Sequence, residues 1–360
     1  MNELLSHIQS MIRAQGPITL AAYMGLALGH PKFGYYHSQT VFGAEGDFIT
    51  APEISQMFGE LIGLWCVQRW RDMGGPREFL LCELGPGLGV LMADALRAAK
   101  LAPDFLDAAR LHLVETSPAL REKQKMAIAR PIIWHDRLGD LPPLPALVIA
   151  NEFFDALPIH QFERTPDGWR ERMVTLDPQT DQLCFALSPV PVADAAIFPP
   201  AMRGASEGAI AEICPAGQAV MTGLAAHLAE QGGAALILDY GPMLSAPGGS
   251  FQAVRGHEFC DPLQNPGMAD LTAHVDFQCL AHAAARAGCQ TDGPVTQGQF
   301  LLRLGMAERA QRLAQNATPQ EREAIESALR RLTDPGQMGS LFKVLALRHP
   351  ALAPSPGFGA

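Results

Sequence analysis

No two of the seven cysteines, Cys66, Cys82, Cys184, Cys214, Cys260, Cys279 and Cys289, form a C-x-x-C pair, and their number is odd. That excludes a disulfide framework and a paired-thiolate zinc site, and it implies free thiols in a reducing compartment. Positive charge is in the minority: 27 Lys and Arg face 37 Asp and Glu, for a formal net charge of −10. A general affinity for nucleic acid or for an anionic membrane is therefore not expected. No uninterrupted apolar run approaches the ~20 residues that cross a bilayer, so no membrane insertion is expected. The segment Met1–Gln15 mixes Glu3 and Arg13 with apolar residues. It has neither a secretory apolar core nor the acid-free, Arg-rich pattern of a transit peptide, which leads to the expectation of a cytoplasmic protein. Several catalytic signatures are also missing. There is no G-K-[ST], no H-E-x-x-H and no G-x-S-x-G, and His257, His274 and Asp276 lack metal-ligand spacing. Phosphate cradling by a P-loop, metal hydrolysis and serine acyl transfer lose their support. No internal repeat or low-complexity tract is present.

What remains is a globular composition, 48% hydrophobic and 18% charged, over 360 residues. Two helical patterns open the chain, near Glu3–Ala14 and Ile18–Leu28, separated by Gly16-Pro17. Ile54, Met57, Phe58, Leu61, Ile62 and Trp65 then recur at helical spacing and form one apolar stripe. From Glu78 short apolar runs alternate with helix-like segments. Phe79–Glu83, Leu111–Glu115, Pro131–Trp134 and Ala146–Ala150 read as strands. This alternation implies an α/β fold, a doubly wound sheet with helices on both faces. Between Ile159 and Ile213 the period changes to short alternating runs broken by Pro, Asp and Gly, a β-rich insertion. The α/β rhythm returns with the strand Ala234–Asp239 and ends with Phe342–Leu347. The tail from Ala351, with its Pro and Gly, is expected to be disordered.

Glu83-Leu84-Gly85-Pro86-Gly87-Leu88-Gly89 lies where a strand turns into a helix. Glycines there let the backbone pass close beneath a nucleotide-like ligand. The spacing is not the dinucleotide G-x-G-x-x-G, and Glu83 stands two residues before the first glycine. A carboxylate suits the cationic aminoacyl part of S-adenosylmethionine and is poorly placed beside a pyrophosphate. Gly85, Gly87 and Gly89 are accordingly read as cofactor-binding. Glu115, at the end of the next strand, is placed to accept both ribose hydroxyls; the plainer reading is a solvated acid at a strand end. Asp136 is either an acceptor for the adenine amino group or a loop acid. Asn151-Glu152-Phe153-Phe154-Asp155 follows the fourth strand, at the carboxyl end where open α/β sheets hold ligands. Asn151 is grouped with the cofactor residues. Glu152 and Asp155 are the candidate catalytic carboxylates, able to orient a basic nitrogen; their alternative is a pair of acids favouring a helix N-terminus. Thr50-Ala51-Pro52-Glu53 is a capping box for Glu53, while Thr50 and Gly46-Asp47-Phe48 are also read as a lid on the cofactor.

Together these segments resemble the MidA-like proteins, the mitochondrial complex I assembly-factor methyltransferases and their bacterial relatives. The resemblance is carried by Gly46–Gln56, Glu83–Gly89, Asn151–Pro158, Asp239-Tyr240-Gly241, Asp261-Pro262-Leu263, Leu271–Phe277 and Met338–Leu345, in order along nearly the whole chain. It implies a class I S-adenosylmethionine-dependent methyltransferase fold with strand order 3-2-1-4-5-7-6 and the last strand antiparallel. It also implies methylation of arginine on a complex I core subunit. Leu88 and Val90 stand where the family often has Arg and Thr, so no role is assigned to an Arg there. The expected organisation is a helical and lid region over 1–75, a methyltransferase domain over 76–158 and 214–350, the β-rich insertion over 159–213 and the tail 351–360. The alternatives left open are a scaffold that has lost catalysis and a nicotinamide-dependent oxidoreductase. The oligomeric state is not legible.

Overall fold

The computed structural model describes residues 2–37 and 50–359. The lid segment Gly46-Asp47-Phe48, at the start of the first family stretch, lies outside them. The chain forms two compact units, one made of Met1–Phe48, Asp155–Ala219 and Leu244–Cys279, the other of Ile49–Phe154, Val220–Met243 and Leu280–Ala360.

The second unit is built on a seven-stranded sheet. Its strands are β1 (Phe79–Leu84), β2 (Ala109–Val114), β3 (Ile133–His135), β4 (Ala146–Asn151), β5 (Gly233–Tyr240), β6 (Gln290–Thr296) and β7 (Phe342–Arg348). Their spatial order is β3-β2-β1-β4-β5-β7-β6. Pairings from β3 through β5 are parallel, whereas β7 runs antiparallel to both β5 and β6. The expected order and the reversed last strand are both present. Every residue of β1, β4 and β5 is buried. These strands therefore read as continuous apolar runs rather than alternating ones, as parallel strands covered on both faces do.

One cover is the helix Gln56–Asp72, which buries Met57, Phe58, Leu61, Ile62 and Trp65, the stripe seen in the sequence. Each such side chain contributes roughly 1.5–3 kcal/mol when fully buried. It packs on the helix Val90–Ala98 so closely that a Cβ on Gly63 would lie 2.5 Å from the Ala95 carbonyl oxygen. The closing segment, expected to lack order, packs in the same unit. Arg69 donates to the Ala353 carbonyl at 2.9 Å, Ser355 N–H donates to Asp292 at 2.8 Å, and the Phe358 ring sits 5.2 Å from that of Phe300. Composition alone misjudged it because the anchors, Arg69 and Asp292, lie far away in sequence.

The first unit is helical at its start and β-rich after it. Leu4, Ile8 and Ile12 recur every fourth residue and form the buried face of the helix Glu3–Gln15. The strands His160–Thr165, Gly168–Leu176, Leu183–Leu187 and Ile210–Ile213 form an antiparallel sheet that also takes in Ile18–Thr19. A second, three-stranded sheet holds Gln252–Arg255, Glu258–Cys260 and Asp270–Thr272. Among the described residues no helix is long and apolar enough to cross a membrane.

Candidate active site

In the second unit the polar groups of interest gather at the carboxyl ends of β1, β2 and β4. β1 leads into the glycine turn, where Gly85, Gly87 and Gly89 have φ of +60°, +51° and +79°. An L side chain rarely adopts such angles, so the turn is available chiefly to glycine. The Phe153 ring lies against it: a Cβ on Gly85 would meet Phe153 Cδ2 at 2.9 Å. The turn is tied down by Gly85 N–H to the Val114 carbonyl at 3.0 Å and Gly89 N–H to the Pro86 carbonyl at 2.7 Å.

Glu83 sits in β1 just before this turn, 3% exposed. Its Oε2 is buried and has no hydrogen-bond partner among the described residues. Burial alone pushes its carboxyl up to about 8. Burial of this kind disfavours the charged form of the carboxyl.

Glu115 follows β2 and is also buried, but its oxygens are occupied. Oε1 accepts the Ser117 N–H at 2.8 Å and Oε2 accepts Gln124 Nε2 at 3.2 Å. Burial raises its pKa, and those donors pull the other way. The solvated-acid reading of Glu115 does not fit an 8% exposed side chain. Asp136 differs: its side chain is 77% exposed and pairs with Arg121 at 2.7 Å.

Asn151 closes β4. Its Nδ2 donates to Glu152 Oε1 at 3.2 Å, and its Oδ1 is buried without a partner among the described residues. Glu152 has a φ of +50°, uncommon for a side chain of its size. Its N–H donates to the Leu238 carbonyl at 2.9 Å, and its Oε1 also accepts the Ala51 N–H at 3.2 Å. Ala51 begins the short helix Ala51–Ile54 behind Thr50, whose N–H donates to Glu53 Oε2 at 3.0 Å in a capping box. The capping reading of Glu53 is thus the observed one, and Thr50 is brought to Glu152 through Ala51.

Asp155 belongs to the first unit, where it is buried. Its carbonyl accepts the Ala273 N–H at 3.0 Å. The Tyr36 hydroxyl, which donates to Asp270 at 3.1 Å, is held well above its usual range by burial and then by the charges of Asp270 and Asp155.

Two side chains of the second unit escaped sequence reasoning. Gln124, fully buried, donates from Nε2 to both the Gly87 carbonyl (2.8 Å) and Glu115, and its Oε1 accepts the Trp134 indole N–H at 2.8 Å. One amide thereby ties the glycine turn to the acid of the next strand. It lies in the polar helix Pro118–Ala127, and nothing local marks it. Asp239, buried at the end of β5, accepts the Phe154 N–H at 3.0 Å and the Tyr240 N–H at 2.9 Å. Its signal was the Asp239-Tyr240-Gly241 stretch of the family resemblance.

Residues 61–295 match the family described as S-adenosyl-L-methionine-dependent methyltransferase. The chain is 38% identical to the mitochondrial protein arginine methyltransferase NDUFAF7 homolog of Drosophila melanogaster, covering 97% of this chain and 86% of that protein. It is 37% identical to the mitochondrial protein arginine methyltransferase NDUFAF7 of Homo sapiens, over 96% and 83%. A protein from Burkholderia thailandensis, solved bound to S-adenosyl-homocysteine, superposes with a TM-score of 0.86 at 28% identity over 99% of this chain and 94% of that one. The mitochondrial labels of the curated relatives overturn the expected cytoplasmic placement. Thiol usage separates oxidising from reducing compartments and resolves nothing finer.

Proposed function

The chain belongs to the S-adenosyl-L-methionine-dependent methyltransferase family, and on that premise we propose that it methylates arginine on a protein, a core subunit of respiratory complex I. S-adenosyl-L-methionine is its cofactor, and the enzyme is a methyltransferase. The residues present fit that group. The buried Glu83 carboxyl, with Oε2 lacking a partner among the described residues, suits an α-ammonium. Glu115, buried after β2 and already held by the Ser117 N–H and Gln124 Nε2, is the acid assigned to the ribose hydroxyls. Asp136 is the acceptor for the adenine amino group. The turn at Gly85, Gly87 and Gly89, whose positive φ an L side chain rarely adopts, is the backbone assigned to the ligand.

The bound cofactor supplies an electrophilic methyl group. The protein's share is to hold the nucleophile in line, worth up to roughly 7–11 kcal/mol by orientation alone. A guanidinium is a demanding nucleophile, because its pKa lies above ~12 and its lone pair is delocalised. Carboxylates can bind it and draw charge away from the attacking nitrogen. Glu152 and Asp155 were read as those carboxylates; Asp155 keeps that assignment on its position in sequence, and Glu152 is taken up below.

The observation that carries the arginine assignment is similarity along 97% of the chain to a protein arginine methyltransferase. Labelled S-adenosyl-L-methionine is incubated with the enzyme and isolated complex I core subunits, and the labelled residue is found by mass spectrometry. Label on arginine is expected. Label confined to lysine or to a small molecule overturns the assignment.

A further inference from the structure

Asn151 ends β4 with its side chain buried, and the two ends of its amide meet different fates. A carboxylate only accepts, so the amide group facing Glu152 Oε1 is the NH2, 3.2 Å away. The carbonyl oxygen therefore points away from Glu152, and it has no donor among the described residues. Glu152 is itself pinned. Its backbone N–H is bonded to the Leu238 carbonyl and its Oε1 to the Ala51 N–H. Its left-handed backbone, at φ +50°, is what turns the side chain at the strand end. The anchored carboxylate fixes the amide, and the fixed amide presents a buried acceptor in need of an N–H.

We infer, building on the methyl-transfer reading above, that the Asn151 carbonyl accepts an N–H of the methyl-acceptor nitrogen, and that Glu152 is the positioning residue that holds the amide in this orientation. A guanidinium carries five N–H donors and no acceptor, so it complements a bare carbonyl. Holding one N–H turns the nitrogen's remaining electron density toward the methyl group. The new bond joins that nitrogen to the methyl carbon as the sulfur–methyl bond breaks. The sulfonium leaves as the neutral thioether S-adenosylhomocysteine, and the nitrogen gives up one proton to water. Asn151 needs no change of charge in this step. Glu152 Oε1 keeps its two N–H partners in this step, and the proton goes to water.

The test uses the full chain with complex I core subunits and reads three quantities: kcat, KM for the protein substrate, and the Kd of S-adenosylhomocysteine by calorimetry. Asn151→Ala should lower kcat by about 30-fold or more while the Kd stays within about threefold, the range lost with one hydrogen bond to a charged group. The retained Kd also reports that the variant is folded. Glu152→Ala should lower kcat in the same direction. Glu152→Gln should restore it to within about fivefold of wild type, because the glutamine carbonyl can accept the same two N–H groups. Undiminished kcat in Asn151→Ala overturns the inference. So does a Kd weakened by about 30-fold at unchanged kcat, which would make Asn151 a cofactor ligand. Glu152→Gln as inactive as Glu152→Ala overturns the positioning role, since charge would then be what matters. If wild type labels a nitrogen other than that of arginine, only the arginine reading falls. Label on oxygen, or none on any acceptor, overturns the inference as well.

Discussion

Glu83 and Glu115 stand at the ends of neighbouring strands in one sheet, both buried, yet their surroundings are opposite. Around Glu115 the chain has placed a backbone N–H and a glutamine amide. Around Glu83 the described residues leave Oε2 buried without a partner, and burial, unopposed, pushes the carboxyl up to about 8. At Glu115 donors offset part of the burial that raises its pKa; at Glu83 nothing offsets it. On the proposed function the same residue type, one strand apart, would serve hydroxyls in one place and a positive charge in the other, and the difference lies in the number of donors the fold supplies.

The comparison breaks most readily at Glu83. Glu83→Gln should weaken S-adenosyl-L-methionine binding by about 3 kcal/mol, roughly a hundredfold in Kd, since an unmatched cation is then left in a dry site. The same change should alter stability without ligand. Folded Glu83 keeps its proton up to about pH 8, whereas in the unfolded chain it ionises near ~4.3. Unfolding between those values releases a proton, so wild-type stability falls as pH rises from about 4.3 to about 8 and levels off above. Thermal melts should show Glu83→Gln gaining on wild type across that window. Parallel melting curves at all pH values would mean that Glu83 is ionised in the free protein.

Glu115→Ala should cost about 1.5–3 kcal/mol of cofactor affinity by calorimetry, with a smaller change in the slope of stability with pH than at Glu83, because its donors offset part of the burial. An unchanged Kd would leave Glu115 a purely structural acid. Gln124→Ala is expected to weaken cofactor binding by about 1 kcal/mol and to lower stability by about 1–3 kcal/mol in chemical denaturation, because the Gly87 carbonyl and the Trp134 indole lose their partner. Affinity and stability moving together would mark this residue as the link between the two strand ends. Asp136→Asn should weaken affinity by no more than about 0.5 kcal/mol, because the pair with Arg121 is exposed and the asparagine carbonyl still accepts from the adenine amino group. A larger loss would mean that the charge of Asp136, and not only its acceptor oxygen, serves the ligand.

Much of the second unit was legible because its signals are local. Buried parallel strands read as apolar runs, and the glycine turn with its acid sits within seven residues. The apolar stripe of the helix over 56–72 repeats at one period. What stayed hidden depends on partners distant in sequence. Gln124 looks like any polar residue of a surface helix until Gly87, Glu115 and Trp134 are seen around it. The tail over 351–359 looks loose until Arg69 and Asp292 are seen to hold it. Glu152 was legible as an acid in the right loop, but its bond to Ala51, a hundred positions earlier, changes what that acid is available to do.

The place of β7 sets a timetable for making this protein. It fills the slot between β5 and β6, and Phe342 follows Thr296, the last residue of β6, only after four helices, Gln297–Arg303, Met306–Ala314, Pro319–Thr333 and Met338–Leu341. While a ribosome, at roughly 5–20 residues per second, is still adding that stretch, β5 and β6 have no strand to join them, and the far edge of β5 offers a row of unpaired backbone groups. Such an edge invites pairing with another chain. Nascent chains halted before Phe342 should therefore be the form of this protein most in need of a chaperone.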